Sequence, residues 1–288
     1  MLVAFSCAAG TSTAQLYVAN YANNSGTTVS AFNSANGAAI NNSFATGLNG
    51  PFALTLSGSI LYVGDSNKIG TYDAATGSAL KASLVTNANG PHGLAILGGD
   101  LFASVGTNVA RYNAVTGAAV NASFITGFTA WGLAVFGNNL LVVDYLGSKI
   151  REYDASTGAL LNDSFITGLN GPTGIAVSGS NLYVTNLHTT TVGKYDAATG
   201  ATINSSFING LSSPASVVEF GGNLYVGSVG SDRIGKYNST TGATVNAGFI
   251  TNVSDPYGIA ILPEPCSALF VGLGASVVLV RFRARRGE

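Results

Sequence analysis

Charge is scarce in this 288-residue chain: Asp, Glu, Lys and Arg make up 9% of it, against roughly a quarter in an average soluble domain. Asn, Ser, Thr and Gly must therefore cover the exterior, which stays wet by hydrogen bonding and exerts little long-range pull on charged partners. Four of the twelve basic residues, Arg281, Arg283, Arg285 and Arg286, sit in the last eight positions. Residues 15–262 keep eight basic and eleven acidic side chains, a net of −3, which argues against nucleic acid as a partner. Cysteine is almost missing, and Cys7 and Cys266 both lie outside the repetitive part, so no disulfide is available within it. The chain also lacks a Ser-His-Asp spacing, a phosphate loop and a CxxC pair. On these grounds no catalytic residue and no resident metal is assigned, and no cofactor is required.

What the chain has is repetition. A Leu–aromatic–Val type of step recurs at Leu16, Leu61, Leu101, Leu140, Leu182 and Leu224, spaced by 45, 40, 39, 42 and 42 residues. Phe32, Tyr72, Tyr112, Tyr153, Tyr195 and Tyr237 follow, each five residues before a Gly. Seven residues beyond each Gly stand Phe44, Leu84, Phe124, Phe165, Phe207 and Phe249. A period of about 40 residues with several strands per repeat is the propeller signature. Short β-branched and aromatic segments bounded by Gly, Asn or Ser supply the strands. In the Asp-Ala-Ala-Thr-Gly type of turn, Asp73, Asp154 and Asp196 can accept backbone amides while Gly takes a positive φ. These carboxylates read as turn builders.

A fourth strand of the Gly-Ile-Ala-Val type closes each repeat, and its middle position is small almost throughout: Thr55, Ala95, Ala134, Ala176, Val218 and Ala260. Six strands crowding one axis would demand that. The first repeat begins at its second strand, whereas the last ends with an unpaired innermost strand, 258–262. Pairing of these two would complete the first blade and leave no open sheet edge. The expectation is an all-β, six-bladed propeller over residues 15–262, closed by its C-terminal strand on its N-terminal blade.

The Pro-x-Gly-Ile-Ala-Val, Leu-Tyr-Val and Tyr-Asp-x-x-Thr-Gly pattern resembles the NHL-type and gluconolactonase-like six-bladed propellers over nearly all of residues 15–262. That resemblance implies the fold and leaves function open, since such scaffolds host lyases, lactonases and binding modules. The ends carry more. Residues 1–14, a short apolar run followed by small residues, resemble the latter part of a secretory signal peptide, without its basic start. After Leu262, Pro263-Glu264-Pro265, an apolar run over residues 266–280 and the arginine cluster resemble a PEP-CTERM sorting signal. This implies residues 263–288 as a sorting segment read by an exosortase, and transient anchoring in the inner membrane of a Gram-negative bacterium. Release to the cell surface or the extracellular matrix would follow.

Loops entering the innermost strand and loops leaving the second strand share one face of a propeller. The first set places Phe52, His92, Trp131, Thr173, Ala215 and Tyr257 at one equivalent position; the second places Asn20, Asp65, Val105, Asp144, Asn186 and Ser228 at another. Varied residues on a monotonous frame are where a ligand would be read. The expected ligand-binding set is Phe52, His92, Trp131, Thr173, Tyr257, Asp65, Asp144, Asn186 and His188. Trp131 and Tyr257 could stack on sugar faces; the plainer alternative is that these aromatics plug the channel mouth. His92, Asp65, Asp144 and His188 have the chemistry of divalent-metal ligands, so a cation is left open. Glu219 occupies a slot that is apolar elsewhere and either is buried with a raised pKa or reaches water at the strand end. The first repeat's longer loop, Tyr21–Gly26, overhangs the same face. The reading is an exported, non-enzymatic surface or matrix propeller that binds a saccharide or protein ligand. The alternatives are a metal-dependent lactonase or lyase and a purely structural surface protein.

Overall fold

The computed structural model describes residues 14–22 and 25–263. The signal-like segment up to Thr13, both cysteines, the apolar run over 266–280 and the sorting motif beyond Pro263 lie outside the described residues. Those described build six four-stranded antiparallel sheets, each ordered from an inner strand outwards. Blade 2 is representative, with strands Ala53–Ser57, Ile60–Gly64, Lys68–Asp73 and Ala79–Thr86. Blades 3 to 6 occupy residues 93–126, 130–166, 172–208 and 214–250 in the same order. Among the described residues no helix is long and apolar enough to cross a membrane.

Blade 1 is assembled from both ends of the propeller. Its inner strand is Gly258–Leu262, which pairs with Gln15–Asn20 in the register Tyr17↔Ala260 and Val18↔Ile259. Thr28–Asn33 and Ala39–Ala45 complete the sheet. The ring is closed as the sequence predicts.

The second strand of each blade is covered on both sides, so it needs apolar residues on both faces. Leu16, Leu61, Leu101, Leu140, Leu182 and Leu224 are all fully buried, each contributing about 1.5–3 kcal/mol of transfer free energy. The core lies between blades as six clusters. One joins Tyr17, Val29 and Phe44 of blade 1 to Leu61, Val63 and Tyr72 of blade 2. Another closes the ring by joining Leu16, Val18 and Phe32 to Tyr225, Ile234 and Phe249 of blade 6.

Polar latches cross the same interfaces. The Tyr62 hydroxyl donates to the Ala114 carbonyl at 3.1 Å, Tyr183 to Ser239 at 2.8 Å and Tyr225 to Ser34 at 2.7 Å. Tyr17 does the same to Ala74. Each acceptor is the residue after the turn-building Asp or Asn in the next blade. In that turn Asp73 Oδ1 accepts the amides of Ala75 and Thr76 at 3.1 and 2.8 Å. Gly77, at φ 76°, closes the turn against the neighbouring blade: an added Cβ would lie 1.9 Å from the Phe44 carbonyl.

Candidate functional site

Each loop that enters an inner strand delivers one side chain to the channel mouth, and four of the six deliver a ring. Phe52 and Tyr257 stack at 4.3 Å between centroids, and His92 lies parallel to Trp131 at 4.6 Å and 3°. Phe52 bridges the pairs, edge-on to His92 at 4.9 Å and to Trp131 at 5.7 Å. Thr173 and Ala215, the other two ring positions, are small and buried; Thr173 Oγ1 lies 2.9 Å from Thr185 Oγ1.

Two further rings complete the cap. Tyr21 meets Phe52 and Tyr257 edge-on at 5.2 and 5.4 Å, and Tyr145 stacks on Trp131 at 4.7 Å. Trp131 is thus sandwiched between His92 and Tyr145 with neither face open. Stacking of a sugar on Trp131, one of the two expectations for this residue, is sterically closed. The rings plug the mouth, and what they offer outwards is their edges and the outermost ring faces. His188 is exposed and flanks the cap, its Nε2 3.3 Å from the Tyr145 hydroxyl and its ring packed on Gly171.

Below the cap the channel encloses about 80 Å³, lined by the opening residues of all six inner strands. This is room for a few ordered waters. The larger spaces lie on the face around the cap. Two hollows flank the cap there. One of about 460 Å³ is lined by Tyr21, Gly50, Phe52, Ser66, Asn89, Gly90 and His92. The other, of about 540 Å³ between blades 3 and 4, includes Phe128, Asp144 and the exposed Leu146.

The second set has a different task. Asp65 is buried and accepts the amides of Asn67 and Lys68 at 3.1 and 3.0 Å and that of Asn49 at 3.3 Å. Asn186 accepts the Asn170 amide at 3.2 Å, and Asn20 accepts that of Ser254 at 3.4 Å. In each case the side chain at the end of the second strand staples the loop that enters its own blade. Asp144 is buried too, gripped by Arg151 Nε and Nη2 at 2.9 and 2.8 Å and by the Gly147 amide at 2.8 Å. Asp65, Asp144 and Asn186 are therefore positioning residues whose lone pairs are directed to the frame. Asp65, His92, Asp144 and His188 do not converge, and no group of three or more His, Cys, Asp or Glu suited to a metal occurs among the described residues.

Burial holds the His92 imidazole below its ordinary pKa, so it is neutral at pH 7. Its Nδ1 is buried with no hydrogen-bond partner. Glu219 is half-buried at the far end of its inner strand, accepting from Ser178 Oγ at 2.7 Å and from the Gly222 amide at 3.0 Å. It is a strand-end residue away from the cap.

Residues 16–245 match the family model described as outer membrane protein assembly factor BamB. The chain belongs to that family. Among solved structures, a chain of a nidogen/laminin complex superposes with a TM-score of 0.71 at 16% identity, covering 87% of this chain and 98% of its own. At that identity the likeness is one of fold. A computationally designed protein, Ika8, aligns with a TM-score of 0.48 at 14% identity, covering 76% of this chain and 67% of its own. No curated protein matches the sequence. The resemblance to NHL-type and gluconolactonase-like propellers stands at the level of the six-bladed fold.

Within this member of the family, sequence reasoning missed two of the six rings. Tyr21 opens the one loop singled out as long, and Gly26 closes that loop by donating its amide to the Tyr21 carbonyl at 2.9 Å. Tyr145 directly follows Asp144, one place beyond the position taken as the site. An aromatic at that next place, where blades 2 and 3 carry Ser66 and Gly106, was the available signal.

Proposed function

We propose that this protein is an exported, non-enzymatic propeller of the bacterial cell envelope or extracellular matrix that binds a saccharide or a protein through its loop-rich face. The observation that carries the reading is the aromatic cap. Six rings from four blades are gathered on one face of a molecule whose sequence is sparse in charge and repeats the same polar turns and strands around the ring. Rings left half-exposed at one place, beside two open hollows, are apolar area that a ligand can cover. The family's description as an outer membrane protein assembly factor supports a place in the envelope. The tail supports export: Pro263, Glu264 and Pro265 followed by an apolar run and arginines have the form of a signal read by an exosortase. A lactonase or lyase would need convergent ligands for a metal, and the carboxylates nearest the face are committed to amides and to Arg151.

The test is binding of the full-length protein to isolated exopolysaccharide and outer-membrane protein fractions, with Trp131→Ala and Tyr257→Ala beside the wild type. Binding that falls at least tenfold in both variants, with unchanged thermal midpoints, supports the cap as the docking face; binding that persists in both contradicts it. Export has its own test. Replacing Pro263-Glu264-Pro265 by alanines leaves an uncut, membrane-retained product, and unchanged release contradicts the sorting claim.

A further inference from the structure

The chain has two histidines, and they sit differently in the cap. His188 is exposed at its edge, whereas His92 is wedged within it, parallel to Trp131 at 4.6 Å and edge-on to Phe52 at 4.9 Å. The His92 Nδ1 is sealed from solvent and has no hydrogen-bond partner. A neutral ring tolerates this, because one nitrogen can carry the proton while the other keeps a bare lone pair. The imidazolium carries N–H on both nitrogens, so whichever tautomer precedes it, the charged ring must hold a donor at the sealed Nδ1. A cation is attracted to an indole face, but a charge held out of water with a bond unmade costs more than that attraction returns.

Nothing around the ring offsets that cost. The loops that carry Phe52, His92 and Trp131, residues 46–52, 87–92 and 127–131, contain no Asp, Glu, Lys or Arg. The titratable groups on the other elements around it are Tyr21, Asp65, Lys68, Tyr145, Asp255 and Tyr257. Asp65 is committed to the amides of Asn49, Asn67 and Lys68, and the charge of Asp255 acts on Tyr257. Burial alone moves the His92 pKa, and it moves it down. We infer that His92 is an acid-operated latch of the aromatic cap: protonation drives its ring out of the stack and uncovers the face of Trp131 that it covers at neutral pH. This rests on the binding-face reading above and adds its regulation, since a stacking ligand then finds in acid a ring face that is closed at pH 7. Closure is complete above the ordinary imidazole value of 6.5 and weakens as pH falls below it. The open-to-closed ratio rises by up to about tenfold per pH unit until the closed cap itself takes the proton.

The test uses the full-length protein without ligand. Trp131 is the one tryptophan and reports directly, and collisional quenching by acrylamide reads access to its ring rather than the charge of its neighbour. From about pH 7.5 to about pH 5, across the imidazole range, the quenching constant rises at least twofold while far-UV circular dichroism is unchanged. His92→Phe, which keeps a ring in the stack and takes no proton, stays at the neutral-pH value throughout. His92→Gln, which takes no proton either, gives a pH-independent constant whatever its level. His188→Gln retains the wild-type rise, which separates the latch from the other histidine. The inference is overturned if wild-type quenching is flat over this range, if the rise persists in either His92 variant, or if it disappears in His188→Gln. A flat profile leaves the binding face to its own test at neutral pH. A pH-dependent profile in a protein that binds no envelope fraction keeps the latch and sinks the binding face.

Discussion

A single hydroxyl shows how blade-to-blade order is held. Tyr225 donates to the Ser34 carbonyl across the ring-closing interface, and Lys236 Nζ reaches the same oxygen at 3.3 Å. Tyr225→Phe therefore removes one bond without orphaning the acceptor. The expected cost is about 0.5–1.5 kcal/mol, read as a lower denaturant midpoint at unchanged slope. Asp154 carries a second expectation. Hydroxyls and amides of Ser156 and Thr157 converge on its Oδ1 and hold the carboxyl at about 2, against an ordinary 3.8. Because the folded value is depressed, the stabilisation is complete above the unfolded value and is lost as pH falls towards 2. Asn113 builds the same turn without charge, accepting the amides of Val115 and Thr116 at 3.0 and 2.8 Å. Asp154→Asn should thus fold normally. The difference in thermal midpoint between wild type and variant is constant above about pH 4 and shrinks as the wild-type carboxyl protonates; a pH-independent difference would contradict this.

At the scale of the element, five of the six loops entering the inner strands share one device, the exception being that of blade 4. The residue before proline is left-handed at Gly50, Gly90 and Gly171, but the same place is Asp255, at φ 45°, before Pro256 and Ser213, at φ 50°, before Pro214. Ser213→Gly relieves about 1–2 kcal/mol of left-handed strain and adds only about 0.4–1 kcal/mol of unfolded-chain entropy. A net gain of about 1 kcal/mol follows from these two figures; an unchanged or lower urea midpoint would contradict it. The outermost strands solve a different problem. Each exposes an aliphatic at 49–56% of its surface: Ile40, Leu80, Val120, Ile203 and Val245 singly, and Leu160 with Leu161 in blade 4. Such residues favour the strand but invite pairing with another chain. Asn41, Asn121, Asn162 and Asn204 answer by accepting the amide two residues on at 2.9–3.0 Å, each occupying its own strand's donor. Several Asn-x-Ser triplets that recur along the chain have their structural explanation here.

Over the whole molecule, stability depends on a strand that arrives last. Removing residues 258–288 strips the inner strand from blade 1, exposing the free edge of Gln15–Asn20 and opening the cluster around Val18, Phe249 and Ile259. An unprotected edge templates pairing with other chains. The truncated protein is expected to elute as oligomers or aggregates in size-exclusion chromatography, whereas a monodisperse product melting at the wild-type temperature would show that closure is dispensable. The blade number, the turn carboxylates and the closing strand were legible in advance, because period-two alternation, turn chemistry and repeat length are local properties that one stretch of sequence expresses by itself. Phe52, His92, Trp131 and Tyr257 could be placed on one rim by counting repeats. Their pairing could not, since it joins side chains some 40 residues apart on loops whose orientations exist only once six blades close on each other. The same holds for Asp65 and Asp144, which by composition look like ligands and in the folded protein are enclosed by amides and a guanidinium. Sequence determined the ring; packing across its mouth, where every contact is long-range, decided which rings meet and that His92 and Tyr145 stack on Trp131.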